Sequence, residues 1–320
     1  MICVILGAGF SHVCGVPLAS QLFNDHPEVD RLTRQKLVER VVSHWTSWQA
    51  KTGGVPEQYL AFLQERGSQE WRDALWFVSL IVALKMGRVE IVGGKSTITK
   101  HNVNRTTQNP AHEDFWSIIT NYTFNIAVIT TNYDILPERG LRHQPRPRLP
   151  RPGFHYGDGP EPLEGGGYPS YSHIRKIVVA GTVPLYKLHG SVSWSFRAGQ
   201  LIRYYDCRPA IRGDAAIVAP MTTKVIPHYL QSTWQQAATS LSSSDMWIVV
   251  GYSLPAYDVA VRTLLCENGK HNPGIHIFDP NPEVAQAFSQ LLPKAYISSH
   301  PGLPNGLSDL EMVLESAKGS

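Results

Sequence analysis

A doubly wound α/β fold with a mostly parallel sheet follows from three observations on this 320-residue sequence. The first apolar run, Ile2-Cys3-Val4-Ile5-Leu6, leads straight into Gly7-Ala8-Gly9-Phe10-Ser11. Further short apolar runs recur at long intervals, and segments of helical period lie between them. Short, continuously apolar runs suit strands covered by helices on both faces, and their alternation with helices is the pattern of a crossover-connected sheet.

The opening strand and its glycine turn set a Rossmann-like expectation. Such a turn brings a ligand's phosphates near the backbone, where a helix N-terminus offers free N–H groups. The full dinucleotide fingerprint wants a third glycine where this chain has His12; Gly15 comes later, in Gly15-Val16-Pro17. Residues 24–105 read as a helical insertion, fit to form a lid or a second small domain. Its most apolar part, Trp71 to Met86, is uncharged only from Ala74 to Leu84. That falls short of the ~20 residues needed to cross a bilayer and reads as a buried helix.

Pro110 to Tyr122 is helical in pattern, and Asn125 to Thr130 is the second strand. Residues 140–183 are crowded with proline and glycine (Pro145, Pro147, Pro150, Gly165, Gly166 and Gly167 among them) and read as an irregular insertion. Tyr186 to His189 and Ala215 to Ala219 are the third and fourth strands, followed by helical Tyr229 to Leu241. Strands Met246 to Val250 and Ile275 to Asp279 alternate with helices Asp258 to Glu267 and Pro282 to Leu292. Ala295 to Ser298 reads as an edge strand, and Leu307 to Ala317 as a terminal helix with Leu307, Leu310, Val313 and Leu314 on one face. The chain is expected to be a single domain, 1–320, with these two insertions.

The net charge of +3, with 42% hydrophobic and 17% charged residues, describes an ordinary globular chain. Arg142, Arg146, Arg148 and Arg151 form a basic cluster spaced by prolines, which reads as a solvated loop, so nucleic acid is disfavoured as a direct ligand. Cys3, Cys14, Cys207 and Cys266 show no CxxC spacing, which argues against a disulfide framework or a zinc site and fits a reducing cytoplasm. The N-terminus carries no signal-peptide pattern.

Polar groups follow the strands, where open α/β sheets take ligands: Thr131-Asn132-Tyr133-Asp134, His189-Gly190-Ser191, Gly251-Tyr252-Ser253-Leu254-Pro255 and Asp279-Pro280. Each alone has a plain structural explanation, since Asn and Asp cap helices and His fits turns. Together with the glycine turn they converge on one rim.

Gly7-Ala8-Gly9-Phe10-Ser11 with Gly15-Val16-Pro17, Thr131-Asn132-Tyr133-Asp134, Lys187-Leu188-His189-Gly190-Ser191 and Gly251-Tyr252-Ser253-Leu254-Pro255 resemble, in this order, the NAD-binding core of sirtuin-like (silent-information-regulator-like) proteins. The bacterial branch that hydrolyses NAD, often in anti-phage defence, is the most similar. The motifs span nearly the whole chain, and the two insertions match nothing in the family's pattern. The resemblance implies that Gly7, Ala8, Gly9 and Ser11 line the pyrophosphate, with Phe10 and Pro17 of the same motifs in the cofactor-binding set. It implies Asn132 and Asp134 beside the nicotinamide ribose and carboxamide, and His189 as the base for a ribose hydroxyl or the attacking water. Gly251 and Ser253 would touch the phosphate and ribose, and Asp279 would hold the adenosine ribose.

Cleavage of the nicotinamide–ribose bond passes through an oxocarbenium-like cation, so a site must orient the sugar, exclude bulk water and admit one nucleophile. Asparagine supplies a donor and an acceptor without charge, and histidine takes a proton near neutrality. The family's deacylases carry a zinc ribbon of paired cysteines that this sequence lacks, and no acceptor groove is evident. Water is then the expected nucleophile, which gives an NAD hydrolase with NAD as substrate and no metal. The alternatives are an ADP-ribosyl or deacyl transferase, and a module that senses NAD or ADP-ribose without turnover. Unchecked NAD hydrolysis is toxic, so a homo-oligomer or an activating protein partner is expected to control it.

Overall fold

The computed structural model describes residues 1–24, 26–31, 34–98, 109–122, 125–143, 154–156, 183–204, 206–219 and 226–317. Its strands are β1 (Ile2–Leu6), β2 (Val89–Val92), β3 (Lys95–Ile98), β4 (Ile126–Thr130), β5 (Phe154–His155), β6 (Val183–Lys187), β7 (Gly190–Arg197), β8 (Gln200–Arg203), β9 (Ala215–Ile217), β10 (Met246–Val250), β11 (Gly274–Phe278) and β12 (Tyr296–His300). Its helices are α1 (Ala8–His12), α2 (Gln35–Thr52), α3 (Pro56–Arg66), α4 (Gln69–Lys85), α5 (Pro110–Tyr122), α6 (Leu136–His143), α7 (Arg208–Arg212), α8 (Gln231–Ser242), α9 (Val259–Asn268), α10 (Glu283–Leu291) and α11 (Leu307–Ser316).

Seven strands make one sheet in the order β12-β11-β10-β1-β4-β6-β5, and all their pairings are parallel. β1 lies inside it, with Ile2 opposite Met246 on one side and Ile126 on the other. Cys3, Val4, Ile5 and Leu6 are all buried, which is why this run shows no alternation. The chain builds β4 and β6 on one side of β1, then returns to build β10, β11 and β12 on the other. The winding therefore reverses at β1, and the crevice over the carboxyl ends of β1 and β10 is the place where such sheets take ligands.

Two expectations need correction. From the sequence alone, the run from Ala215 reads as a strand of the parallel sheet. Instead β9 pairs antiparallel with β7, and β7 with β8, in a separate three-stranded sheet. A short apolar run fits either sheet; Gly190 decides the matter, because its φ of +76° lets the chain turn back at once, with a Cβ there only 2.0 Å from the Ala216 carbonyl. The second correction concerns Gly140, placed at the start of the irregular segment but found inside α6. A Cβ on Gly140 would lie 2.0 Å from the Trp116 ring, so glycine here lets that indole seat against the helix. Most of the remaining 140–183 segment, with Arg146, Arg148 and Arg151, lies outside the described residues; Phe154–His155 adds edge strand β5 to β6.

Between residues 24 and 98 the described residues form α2, α3 and α4 and the antiparallel hairpin β2–β3. The Ser68 hydroxyl caps α4 by accepting from the Trp71 N–H at 3.3 Å. α4 is buried almost all round from Asp73 to Ala83, which explains its apolar sequence. Phe23, Trp45, Tyr59 and Phe77 form an aromatic knot beneath it, with ring centroids 5.2 to 5.8 Å from Phe23. This second core also takes in Val16, Ile135, Leu136, Val192, Ala215 and Ile217, so the insertion shares its interior with the small sheet and with the loops over β1 and β4.

Candidate active site

A cavity of about 560 Å³ opens over the carboxyl ends of β1, β4, β10 and β11, and the helical insertion forms one wall through Val55, Glu57, Leu60 and Val82. Of the residues singled out in the sequence, Ala8, Gly9, Ser11, Pro17, Asn132, Asp134, His189, Gly251, Ser253 and Asp279 line it. Gly7 and Phe10 do not. The Phe10 ring is fully buried against His112, Phe115 and Trp116, with centroids 4.3 to 5.8 Å away, so it is a core residue.

The glycines make close backbone contacts. A Cβ on Gly7 would lie 2.5 Å from the Gly251 carbonyl and the Tyr252 Cα, and one on Gly9 2.8 Å from the Gly251 Cα. Their missing side chains let the loops after β1 and β10 interlock. The amides agree: Gly7 N–H donates to Val250, Gly9 N–H to Gly251 and Phe10 N–H to Gly7. α1 is only five residues long.

Asn132 is held rigidly. The Thr130 hydroxyl accepts from its backbone N–H at 3.1 Å, while its Nδ2 donates to the Gly7 carbonyl at 2.7 Å and to Ser11 Oγ at 2.9 Å. Ser11 in turn donates to Asp134 Oδ2 at 2.7 Å, and Asp134 Oδ1 accepts from the Leu136 N–H at 2.9 Å. Asp134 thus caps α6 and orients Ser11 and Asn132. With both amide protons of Asn132 pointed into the protein, its Oδ1 is the atom left to meet a hydroxyl or water. Beneath this loop the buried Lys187 donates to the Asp134 carbonyl and pairs with Glu138 at 3.3 Å.

His189 follows β6 and is 2% exposed. Its Nε2 stands 3.5 Å from Oδ2 of Asp258, which is itself 1% exposed. That separation is long for a formed hydrogen bond, and both Nε2 and Asp258 Oδ1 are buried without one. Catalytic contacts often tighten only when ligand is bound. Tyr252 donates to Asp258 Oδ2 at 3.3 Å, and the Tyr133 ring lies 6.4 Å from the imidazole. An Nε2–H aimed at Asp258 presents the Nδ1 lone pair for proton transfer. In the sequence Asp258 reads only as the start of a helix, and its partner lies 69 residues away in the chain.

Asp279 stands at the end of β11, half-buried, its Oδ1 accepting from the Asn281 N–H at 2.9 Å; burial raises its carboxyl above the usual range. Ser253 is exposed at the rim. Among the described residues no three His, Cys, Asp or Glu side chains converge as a metal site, and no helix is long and apolar enough to cross a membrane.

The fold and cavity define a doubly wound α/β protein with a polar site at its switch point. No family model matches the sequence, and no curated protein matches it. Solved structures similar to the chain are Sir2 proteins. A Sir2 homologue mutant in complex with 2'-O-acetyl ADP ribose shares 15% identity over 99% of this chain and 92% of that one, with a TM-score of 0.48. Sir2Tm bound to a propionylated peptide shares 17% over 100% and 94%, with a TM-score of 0.43. A Sir2 homologue–NAD complex shares 14% over 99% and 89%, with a TM-score of 0.42. Likeness at this level assigns no role to any residue of this chain.

Proposed function

We propose that this protein is an NAD glycohydrolase that cleaves the bond between nicotinamide and ribose. The observation that carries the reading is that the fixed amide of Asn132 and the imidazole of His189, backed by Asp258, line the same cavity over the sheet's carboxyl ends. In the reaction the electron pair of the broken C–N bond leaves with the nicotinamide ring nitrogen, which loses its positive charge. The ribose carbon becomes oxocarbenium-like, and water adds to it. Asn132 Oδ1 orients that water or a ribose hydroxyl, and His189 takes the proton released. NAD⁺ and water give nicotinamide, ADP-ribose and a proton.

In this reading Ala8 and Ser11 face the nucleotide beside the interlocked glycines, Gly251, Ser253 and Pro17 border it, and Asp279 meets the adenosine ribose. Asp134 acts through Ser11 and Asn132. A role in anti-phage defence, a cytoplasmic location and control by self-association or a partner follow from the sequence resemblance and the toxicity of unchecked turnover.

The test is incubation of the purified chain with NAD and separation of the products. Free nicotinamide and ADP-ribose in equal amounts are expected. Asn132→Ala and His189→Ala should each lower the rate about 10²–10⁴-fold with the circular dichroism spectrum unchanged. Full activity in either variant removes that residue's role, and ADP-ribose bound to protein in place of free product means transfer.

A further inference from the structure

Among the described residues, the insertion places one ionisable side chain in this cavity. Glu57, in the first turn of α3, accepts a hydrogen bond from the Tyr257 hydroxyl across 200 positions of sequence. Tyr257 immediately precedes Asp258, the carboxylate that faces His189. Burial pushes the Glu57 carboxyl up from the usual range; the Tyr257 bond opposes this, and the charge of Asp258 adds to it. Burial, and then the charges of Glu57 and Asp258, disfavour ionisation of Tyr133, the ring beside His189, and all these groups line the one cavity.

Among the described residues the cavity lining includes the carboxyls of Glu57, Asp134, Asp258 and Asp279 and neither lysine nor arginine. Asp134 has both oxygens engaged by the protein, and Asp258 is turned to His189 and Tyr252. Glu57 is the carboxylate on the wall opposite the strand ends. A partly desolvated carboxylate acts most strongly on positive charge that develops during a reaction. In the reaction proposed above, on which this inference rests, such charge arises at the ribose carbon as nicotinamide leaves.

We propose that Glu57 is a catalytic residue supplied by the helical insertion, facing the ribose and stabilising the positive charge that forms at its anomeric carbon. It makes no bond to the sugar and exchanges no proton; the C–N electron pair still departs with nicotinamide, and His189 still takes the proton of water.

Glu57→Gln keeps an oxygen for Tyr257 and removes only the charge. Nicotinamide release is measured for wild type, Glu57→Gln, Glu57→Asp and Asn132→Ala. The expected result is a fall in kcat of about 10²-fold for Glu57→Gln, with KM within about threefold and an unchanged melting temperature. Glu57→Asp, which keeps the charge, should retain kcat within about tenfold of wild type. An active wild type with Glu57→Gln within twofold of it overturns the role of Glu57 and leaves the NAD reading standing. A wild type that releases no nicotinamide overturns both. If Glu57→Gln fails to fold, a Glu57→Asp variant that folds yet loses 10²-fold or more overturns the inference by itself.

Discussion

Replacing Gly251 with alanine drives a methyl group into the seam between the loops after β1 and β10. Gly251 has φ of +60°, and its Cβ would lie 2.3 Å from the Phe10 amide nitrogen and 2.6 Å from the Gly9 carbonyl carbon. The left-handed backbone costs an alanine about 1–2 kcal/mol, and overpacking a contact that neither backbone can yield adds about 1–3 kcal/mol. The sum, about 2–5 kcal/mol, is a large share of the ~5–15 kcal/mol that stabilises a typical domain. At about 2.1 cal/mol/K of unfolding entropy per residue, the 320-residue chain should lose roughly 3–7 °C of melting temperature. Gly199→Ala is the control: φ there is +79°, with nothing within 4 Å of the added carbon, so only the backbone cost of about 1–2 kcal/mol applies. Urea denaturation of both variants separates the two contributions. Equal stability of Gly251→Ala and Gly199→Ala would refute the interlocked-loop account and return these glycines to a ligand-approach role.

Two further predictions concern buried charge. His112 is 6% exposed with Nε2 unpartnered, and burial, then the charge of Arg139, holds its imidazole down to about 3. The unfolded chain binds a proton there below ~6.5 while the folded chain does not, so stability rises with pH across that window and falls on acidification. Lowering pH from 6.5 to 5 should cost about 2 kcal/mol through this group at ~1.36 kcal/mol per unit; His112→Leu should remove that component, and an unchanged pH dependence in urea denaturation would count against it. Lys187→Met strands the Glu138 carboxylate, whose pair at 3.3 Å is 0% and 4% exposed, and should cost about 3–5 kcal/mol. Adding Glu138→Gln, which keeps an acceptor for Tyr156, should recover more than half; a double variant no more stable than the single one contradicts the pairing.

The centre of the parallel sheet was legible because β1, β4 and β10 are apolar runs that need no partner to be recognised as buried. The small sheet was harder to read: Ser191, Ser193 and Ser195 alternate with Val192, Trp194 and Phe196 before Ala198-Gly199, and of these serines only Ser191 stands out in the sequence, as a polar group after His189. They are buried on both faces, Ser191 and Ser193 bonding each other at 3.0 Å, so a polar face gave no warning of a covered strand. Asn132 and His189 could be picked out because strand ends collect polar groups. Asp258 and Glu57 could not: one looks like a helix cap and the other like a first-turn acid, and only the folding of distant segments brings them to the imidazole and to Tyr257.

The aromatic knot of Phe23, Trp45, Tyr59 and Phe77 belongs to the same apolar interior as Val192, Ala215 and Ile217. The insertion is consequently welded to the floor of the molecule and cannot swing away like a hinged door without exposing that oil to water. Exposed lining residues, His12 and Ser253 among them, mark the open margin of the cavity.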